Sequence, residues 1–388
     1  MMEKILAAAA GLIMASAAAA QGPAPDLHAC AAQLAKAGDF SGVIAIARPG
    51  GGFTHSAGVM AGPGSAPITA DARFNLGSAT KMFTAVAVAQ LVEAGKIGFD
   101  DPIGRHLPGL TPEAAAVTVR QLLTHSSGLP DFFRPENLPA MQKAQRLADL
   151  LPLLAGTRPG FAPGSRFEYS NSGFLLLGLM IERVSGQDYG RYLADHVFAP
   201  AGMTGSGLQP PPQRAVGMTT MPEMPAGKMG PPPGPPPGAM GPPPGGMMMP
   251  PPGPLRPAAE AALMGTSAGG SFSTAADMQR FFDAFAAGKL TSAAMRDQLL
   301  ARQIDVPGPP GQPPRGHALG IGLGDYRGHR WFGHNGGTPG VNVETMAFPD
   351  DQTSVVVLAN RDPPSALALL RSLLPVVIGG APCPPPPA

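Results

Sequence analysis

The sequence predicts a two-lobed α+β fold, in which an antiparallel sheet flanked by helices carries an inserted all-helical lobe. Residues 40–47 and 53–59 are apolar and β-branched around a glycine turn, so the folded part opens with a predicted hairpin. Helical periodicity dominates residues 78–184, and strand patterns return in residues 319–358. Strands near both ends of a chain can share one sheet, which places the intervening helices in a lobe of their own.

The remaining elements are predicted from apolar spacing and from capping residues. A long, largely buried helix is predicted over residues 78–94, which contain spaced apolar side chains and no proline. Ser273 and Thr274 can cap a helix through residue 285, because their hydroxyls accept the free amides of a first turn. Further helices are predicted at residues 119–124, 140–151 (between Pro139 and Pro152), 173–184 and 365–374. Further strands are predicted at residues 319–326, 340–348 and 354–358.

Residues 1–20 have the layout of a secretory signal peptide. Lys4 precedes an apolar run that ends in small residues at Ala20, after which we predict cleavage. An uncleaved membrane anchor is the alternative, but a bilayer span needs about 20 apolar residues and this run is shorter. A lipid anchor would need a cysteine directly behind the run, whereas Cys30 follows a polar stretch. We therefore expect an exported protein, periplasmic or secreted, with no membrane span after signal removal.

Composition favours one large soluble-type domain without affinity for polyanions. The net charge is +1 and only 14% of residues are charged, so nucleic-acid binding is not expected. With 44% hydrophobic residues the chain can bury a large core, and one catalytic domain is predicted over residues 26–380. Cys30 and Cys383 are the two cysteines, and the sequence leaves a disulfide and free thiols equally open.

A segment within this domain, residues 209–258, has a different composition. Nineteen of the 49 prolines lie between Pro210 and Pro257, so a disordered insertion rich in Pro, Gly and Met is predicted. Eight of the 20 methionines lie between Met218 and Met249, and thioether groups can bind Cu(I). A non-catalytic exported binding protein is therefore an alternative to an enzyme.

The first candidate catalytic motif is SATK at residues 78–81, at the start of a predicted helix. Residues three apart share a helix face, so the Lys81 ammonium can reach the Ser78 hydroxyl. A lysine desolvated in a cleft has a lowered pKa and can take the serine proton. The free amides of a helix N-terminus can also bind a developing oxyanion.

Two later motifs contain groups that such a nucleophile would use. The motif YSN at residues 169–171 lies in a predicted loop between helical segments. A phenol beside an ammonium can ionise more easily and relay protons, and the Asn171 amide can hold a substrate carbonyl. The motif HNGG at residues 334–337 lies between two predicted strands, and its glycines allow a strand backbone to approach an acyl group.

In this order, the three motifs resemble the SxxK, YxN and KTG-position motifs of serine β-lactamases of the class C type and their penicillin-binding-protein and esterase relatives. The resemblance spans most of the chain and implies a β-lactamase/transpeptidase-like fold. Other stretches that resemble the family are LLTHSSGL at 122–129, DHVFAPAGM at 195–203, GGSFST at 269–274 and FPD at 348–350.

The resemblance implies roles for the catalytic residues. Ser78 would attack a carbonyl, while Lys81 and Tyr169 accept and return protons. The oxyanion hole would consist of the backbone amides of Ser78 and Gly337. Water would then release the acyl group from Ser78, with Tyr169 as the base. The expected partner is a small-molecule or peptide substrate with a reactive carbonyl, and no cofactor or metal is implied.

The resemblance also implies that Asn171, His334 and Gly336 bind the substrate. His334 departs from the family pattern, because the β-lactamases usually carry lysine there. A neutral imidazole offers a hydrogen bond with little charge, so it would hold a substrate carboxylate poorly. An esterase or D-amino-acid peptidase is therefore expected, with a true β-lactamase or a D-Ala-D-Ala carboxypeptidase as the alternative.

Other motifs carry less weight. The stretch GTSAG at residues 265–269 fits the nucleophile pattern of α/β-hydrolases, with Asp325 and His334 downstream, but it lacks the strand before and the helix after Ser267 that such a turn needs. The chain has no HExxH motif, and its eight histidines are scattered, so zinc catalysis is not indicated. His125 is expected to be structural.

Overall fold

The computed structural model describes residues 26–221, 253–259, 263–307 and 314–385. The described strands are β1 (Gly42–Ala47), β2 (Phe53–Ala57), β3 (Phe74–Asn75), β4 (Met218–Thr219), β5 (Arg256–Pro257), β6 (Phe272–Ser273), β7 (Ile304–Val306), β8 (Arg315–His317), β9 (Gly322–Tyr326), β10 (His329–Thr338), β11 (Val341–Phe348) and β12 (Thr353–Ala359).

The α-helices of the same residues are α1 (Leu27–Ala37), α2 (Lys81–Glu93), α3 (Pro112–Ala115), α4 (Val119–Leu123), α5 (Leu138–Lys143), α6 (Asn171–Ser185), α7 (Tyr189–Leu193), α8 (Ala199–Ala201), α9 (Ala275–Ala286), α10 (Ala293–Leu300) and α11 (Ser365–Val377). Tighter or wider helical turns occur at Gly77–Thr80, Ile103–Arg105, Pro135–Asn137, Leu147–Leu154 and Ala194–Phe198.

An eight-stranded antiparallel sheet joins the two ends of the chain. Its order is β2-β1-β12-β11-β10-β9-β8-β7, so β1 from the first part pairs with β12 from the last part. Helices α2 to α8 lie in sequence between the opening hairpin and the later strands. The predicted antiparallel sheet with helices inserted in its middle is confirmed.

The sheet is covered on both faces, because successive strand residues point in opposite directions. Val43 and Leu358 belong to the larger core, which includes residues of α2, α6 and α9. Ile44 and Val357, their neighbours along the strands, belong to a smaller core with α1 and α11. The fold is therefore layered, with the catalytic candidates on the side of the larger core.

Helix α2 lies inside the larger core and positions Ser78, the candidate nucleophile. Every residue from Lys81 to Ala89 is buried, and the helix packs against α6 and α10. A helix that is apolar on all sides is typical of a buried position. The predicted helix over residues 78–94 differs at its start, because Ser78 lies in a 3₁₀ turn, Gly77–Thr80, that leads into α2.

Some predicted boundaries are wrong for identifiable reasons. Pro139 and Pro152 do not bound a helix over residues 140–151, since Pro139 lies in the first turn of α5 and Pro152 lies inside the 3₁₀ turn Leu147–Leu154. A proline is tolerated in a first turn, where its missing donor has no helical partner. Strand β10 was not predicted, because four of its ten residues are glycine or asparagine.

The ends of the proline-rich segment are ordered. Met218 pairs with Pro257, and Thr219 with Arg256, in the short ribbon of β4 and β5. The prediction of a disordered insertion over residues 209–258 is therefore wrong at both flanks, where backbone pairing holds the chain. Its middle, residues 222–252, with most of the candidate Cu(I) methionines, lies outside the described residues.

A disulfide joins Cys30 of α1 to Cys383, which settles a pairing that the sequence left open. The bond lies on the side of the sheet that carries α1 and α11. Among the described residues, no helix is both long and apolar enough to cross a bilayer. The predicted signal peptide, residues 1–20, lies outside the described residues.

Candidate active site

The Ser78 hydroxyl lies between two proton-carrying groups. The Lys81 ammonium nitrogen is 3.1 Å from Ser78 Oγ, and the Tyr169 hydroxyl donates to the same oxygen at 2.8 Å. The 3₁₀ turn followed by α2 places Ser78 and Lys81 on one side of the helix start, as their spacing predicts. Tyr169 comes from the loop before α6, so two separate segments converge on one oxygen.

Lys81 is held in place by two further acceptors. Its Nζ donates to Asn171 Oδ1 at 2.7 Å and to the carbonyl oxygen of Ala268. The side chain has no exposed surface, and this burial lowers the pKa of Lys81 from 10.5 to about 7, with Asp131 opposing the shift. Desolvation penalises the ammonium form, so a substantial fraction of neutral amine exists near neutral pH.

The Tyr169 ring contacts His125 and Lys81. The His125 ring stacks on it at a centroid distance of 4.2 Å, and Lys81 Nζ lies 4.8 Å from its centroid. Burial raises the pKa of the Tyr169 phenol well above its ordinary value. This direction is opposite to the sequence-based expectation that a neighbouring ammonium would ease its ionisation, because desolvation of the phenolate, together with the charge of Asp131, outweighs the hydrogen bond with Ser78. The Tyr169 side chain is therefore a neutral hydroxyl group near pH 7.

Asn171 is oriented from both ends of its side chain. While Oδ1 accepts from Lys81, Nδ2 donates to Asp131 Oδ2 at 2.9 Å. Asp131 Oδ2 also accepts from the backbone amide of Asn171 at 3.3 Å. Burial raises the pKa of Asp131, and its hydrogen bonds to Phe133 and Asn171 oppose that shift. A carboxylate that accepts several N–H groups is thereby kept beside the site.

Strand β10 forms the opposite wall of the site. Phe332 belongs to the larger core, and the period of two along a strand places His334 and Gly336 on the same face. A methyl group at Gly336 would lie 2.1 Å from the carbonyl oxygen of Leu76 and 3.1 Å from the amide nitrogen of Ser78. Only glycine therefore allows the strand to approach the Gly77–Thr80 turn this closely.

The backbone at Gly337 lies next to the same turn. A methyl group at Gly77 would be 3.2 Å from the Gly337 amide nitrogen, so the two segments meet through bare backbone. Pairing of β10 with β9 ends at Gly333, and residues 334–338 pair with β11 on one side only, as far as the described residues extend. An open strand edge thus lies beside Ser78.

His334 is buried with only 3% of its surface exposed. Its Nδ1 lies 2.6 Å from the Asn335 carbonyl oxygen, which can only accept, so Nδ1 carries the proton and Nε2 is an acceptor. Burial and the charge of Lys81 lower the pKa of His334 to about 3. The ring is therefore neutral near pH 7.

The structure brings all predicted site residues together, although they are up to 259 positions apart between Ser78 and Gly337. The HNGG motif was predicted to lie between two strands. It lies within β10, a strand that the sequence did not predict. The rival Ser267 is fully buried in the turn between Thr266 and Gly269, and Asp325 accepts from the Gly328 amide of a hairpin. No hydrolase elbow is formed there.

Four contributors to the site were not identified from the sequence. They are the carboxylate of Asp131, the carbonyl of Ala268, and the rings of His125 and His317, of which His125 was expected to be structural. Asp131 lies two residues after the family-like stretch at residues 122–129, which is the one signal that could have found it. In the part of the chain that the structure describes, no three His, Cys, Asp or Glu side chains gather closely enough to hold a metal ion.

Comparison with known proteins gives consistent matches. Residues 27–375 match the beta-lactamase family. A penicillin-binding protein of Bacillus subtilis (strain 168) is 35% identical over 170 residues, which make up 42% of this chain and 37% of that protein. Protein flp of Staphylococcus aureus (strain MW2) is 33% identical over 135 residues, 34% of this chain and 27% of that protein. The matched part of the chain spans well under half the length of these relatives.

A solved structure covers more of the molecule. The penicillin binding protein from Bacillus halodurans superimposes with a TM-score of 0.73 and 29% identity, over 90% of this chain and 99% of that chain.

Proposed function

Because the chain belongs to the beta-lactamase family, we propose that it is a serine hydrolase that forms an acyl-Ser78 intermediate from esters or amides, as an esterase or a D-amino-acid peptidase. The observation that carries this proposal is the contact of Ser78 Oγ with both Lys81 and Tyr169. A serine hydroxyl becomes a nucleophile only when a base takes its proton. A lysine with a pKa of about 7 is such a base.

Acylation follows from these contacts. Neutral Lys81 takes the proton of Ser78 as Oγ bonds to the substrate carbonyl carbon, and the carbonyl oxygen becomes an oxyanion. The amides of Ser78 and Gly337 would donate to that oxyanion, and loss of one such donor typically costs about 3–4 kcal/mol. Collapse of the intermediate breaks the bond to the leaving group, which receives a proton through the Tyr169 hydroxyl.

Deacylation uses the same groups in reverse. A water molecule gives a proton to the Lys81–Tyr169 pair while its oxygen attacks the acyl carbon, and Ser78 Oγ recovers a proton as it leaves. Because burial raises the pKa of Tyr169, the phenol relays a proton and does not hold a negative charge. Lys81 is therefore the base in both steps, in place of the Tyr169 role that the resemblance implied.

Substrate preference is inferred from His334. Its Nε2 accepts and its ring is neutral, so it favours an uncharged donor group of the substrate over a carboxylate. The open edge of β10 can bind an extended substrate backbone by strand addition. Small-molecule or peptide substrates without a carboxylate at this position fit both features. Neither nucleic acid nor a membrane is proposed as a partner.

A second candidate is hydrolysis of a β-lactam or of a D-Ala-D-Ala terminus. The relatives from Bacillus subtilis and Bacillus halodurans, both called penicillin-binding proteins, favour this alternative. It requires a site that holds a carboxylate without a lysine at residue 334.

The test is turnover of three substrates by the mature protein: a short-chain p-nitrophenyl ester, a D-Ala-D-Ala peptide and a chromogenic cephalosporin. We expect the uncharged ester to be preferred and all turnover to be lost in Ser78→Ala. His334→Lys should shift relative kcat/KM toward the two carboxylate substrates, whereas His334→Gln, a neutral control, should not. Preference of the natural protein for the cephalosporin would establish the second candidate. Activity that survives in Ser78→Ala, or no activity in either protein, would refute the hydrolase proposal and leave the binding protein.

A further inference from the structure

Asp131 is connected to Ser78 through the side chains of Asn171 and Lys81. Its Oδ2 accepts from Nδ2 of Asn171 at 2.9 Å, and Oδ1 of that amide accepts from Lys81 at 2.7 Å. Lys81 in turn contacts Ser78 Oγ at 3.1 Å. A continuous chain of polar contacts therefore connects the Asp131 carboxylate with the nucleophile.

The Asp131 carboxylate is itself fixed in position. Its Oδ1 accepts from the Phe133 amide at 2.8 Å. The flanking residues are tied to helix α6, since the Ser172 hydroxyl donates to the Pro130 carbonyl at 2.6 Å and accepts from the Phe132 amide at 2.9 Å. The carboxylate cannot swing away without breaking this set of bonds, so it is preorganised.

We propose that Asp131 is a positioning residue of the acylation machinery, which locks the Asn171 amide in one orientation and supplies the negative charge that balances Lys81. This inference rests on the proposed function. A flipped Asn171 amide would turn Nδ2 toward the donors of Lys81 and Oδ1 toward the carboxylate, so both contacts would become repulsive. In the locked orientation, Nδ2 gives one hydrogen to Asp131 and keeps the other for a substrate carbonyl.

Asp131 is the carboxylate whose charge acts on Lys81. Its attraction raises the pKa of Lys81 against the effect of burial, and the charge of Lys81 in turn lowers the pKa of Asp131. The other titratable side chains around these contacts are Tyr169, His125, His317 and His334. Burial keeps the phenol protonated and lowers the pKa of all three histidines, so they stay neutral near pH 7.

The sign of the effect is therefore defined. Removing the negative charge of Asp131 destabilises the Lys81 ammonium, lowers the pKa of Lys81, and leaves neutral amine available at lower pH. If Asp131 were only structural, its substitution would reduce the folded fraction and leave the pH midpoint of Ser78 reactivity unchanged.

The experiment measures the rate at which a fluorophosphonate modifies Ser78, followed by intact mass from pH 5 to 9. Asp131→Asn keeps the shape and an acceptor, and its midpoint should move down by about half a pH unit or more. Asp131→Ala removes the lock, and its rate at pH 8 should fall by about tenfold or more. Asp100→Asn, which removes an exposed carboxylate paired with Arg120, is the matched control and should behave like the natural protein.

A cycle with Asn171→Ala tests whether Asp131 acts through that amide. If it does, Asp131→Ala should change the rate little once Asn171 is already alanine. An unmoved midpoint in Asp131→Asn, or fully additive effects in the cycle, would overturn the inference. If Ser78 of the natural protein is not modified at all, the proposed function fails instead, so the two failures are distinguishable.

Discussion

The pKa of Lys81 predicts a pH dependence that an ordinary lysine could not give. With a pKa of about 7, neutral Lys81 makes up about 90% of the protein at pH 8 and about 10% at pH 6. If the neutral amine is the base, kcat/KM should fall about tenfold as the pH is lowered from 8 to 6 and should level off above pH 8. A lysine at its usual pKa of 10.5 would instead give a rate that rises about a hundredfold over this interval and keeps rising.

The assay is kcat/KM for an uncharged p-nitrophenyl ester from pH 5 to 9, with the spontaneous hydrolysis subtracted. The histidines of the site do not obscure the result, because the pKa of His317 is lowered to about 4 and that of His334 to about 3. An inflection near pH 7 is therefore assigned to Lys81, whose only nearby carboxylate among the described contacts is Asp131.

Lys81→Arg provides the control, since a guanidinium remains charged throughout this range. It should lose about 10²–10⁴-fold in kcat/KM and lose the inflection as well. The reasoning is refuted if the natural protein shows no inflection between pH 6 and 8, or if Lys81→Arg keeps the same one.

Two further predictions concern the backbone approach and the disulfide. Gly336→Ala should lower kcat/KM by about tenfold or more, because its methyl group would meet the Leu76 carbonyl. Gly207→Ala, with open space around the added methyl group, is the control and should leave kcat/KM unchanged. Equal activity of the two variants would show that β10 can move to accommodate the methyl group. Cys383→Ser removes the disulfide and should reduce the free energy of unfolding by about 2–5 kcal/mol in denaturant titration. It should leave kcat unchanged, because the bond lies on the other side of the sheet from Ser78. An unchanged midpoint of the unfolding transition would contradict the stability prediction.

The central part of the fold could be predicted because its sequence signals are strong and local. The hairpin of β1 and β2 and the capped helix α9 appear where the patterns indicated, and Thr274 accepts from the Asp277 amide as a cap should. Strand β10 could not be predicted in this way, since its glycines serve a close approach and weaken the strand pattern. Function and local propensity conflict at that strand.

The candidate site was predictable as a set of motifs but not as an electrostatic environment. The order of the motifs located Ser78, Lys81 and Tyr169, which do meet. The pKa of Tyr169 was expected to fall and instead rises, because burial is a tertiary property that no spacing reports. Asp131 could not be predicted as a site residue for the same reason, since its partner Asn171 is 40 positions away.

The neutral side chain at residue 334 affects both the base and the substrate. The charge of Lys81 already lowers the pKa of His334, which shows that the two groups interact in a shared low-dielectric environment. A lysine at this position would place a second ammonium there, opposed by the carboxylate of Asp131, and would depress the pKa of Lys81 further. His334→Lys should therefore move the pH inflection downward while it improves carboxylate binding. If substrate preference changes without a shift of the inflection, the two groups do not interact as the structure indicates.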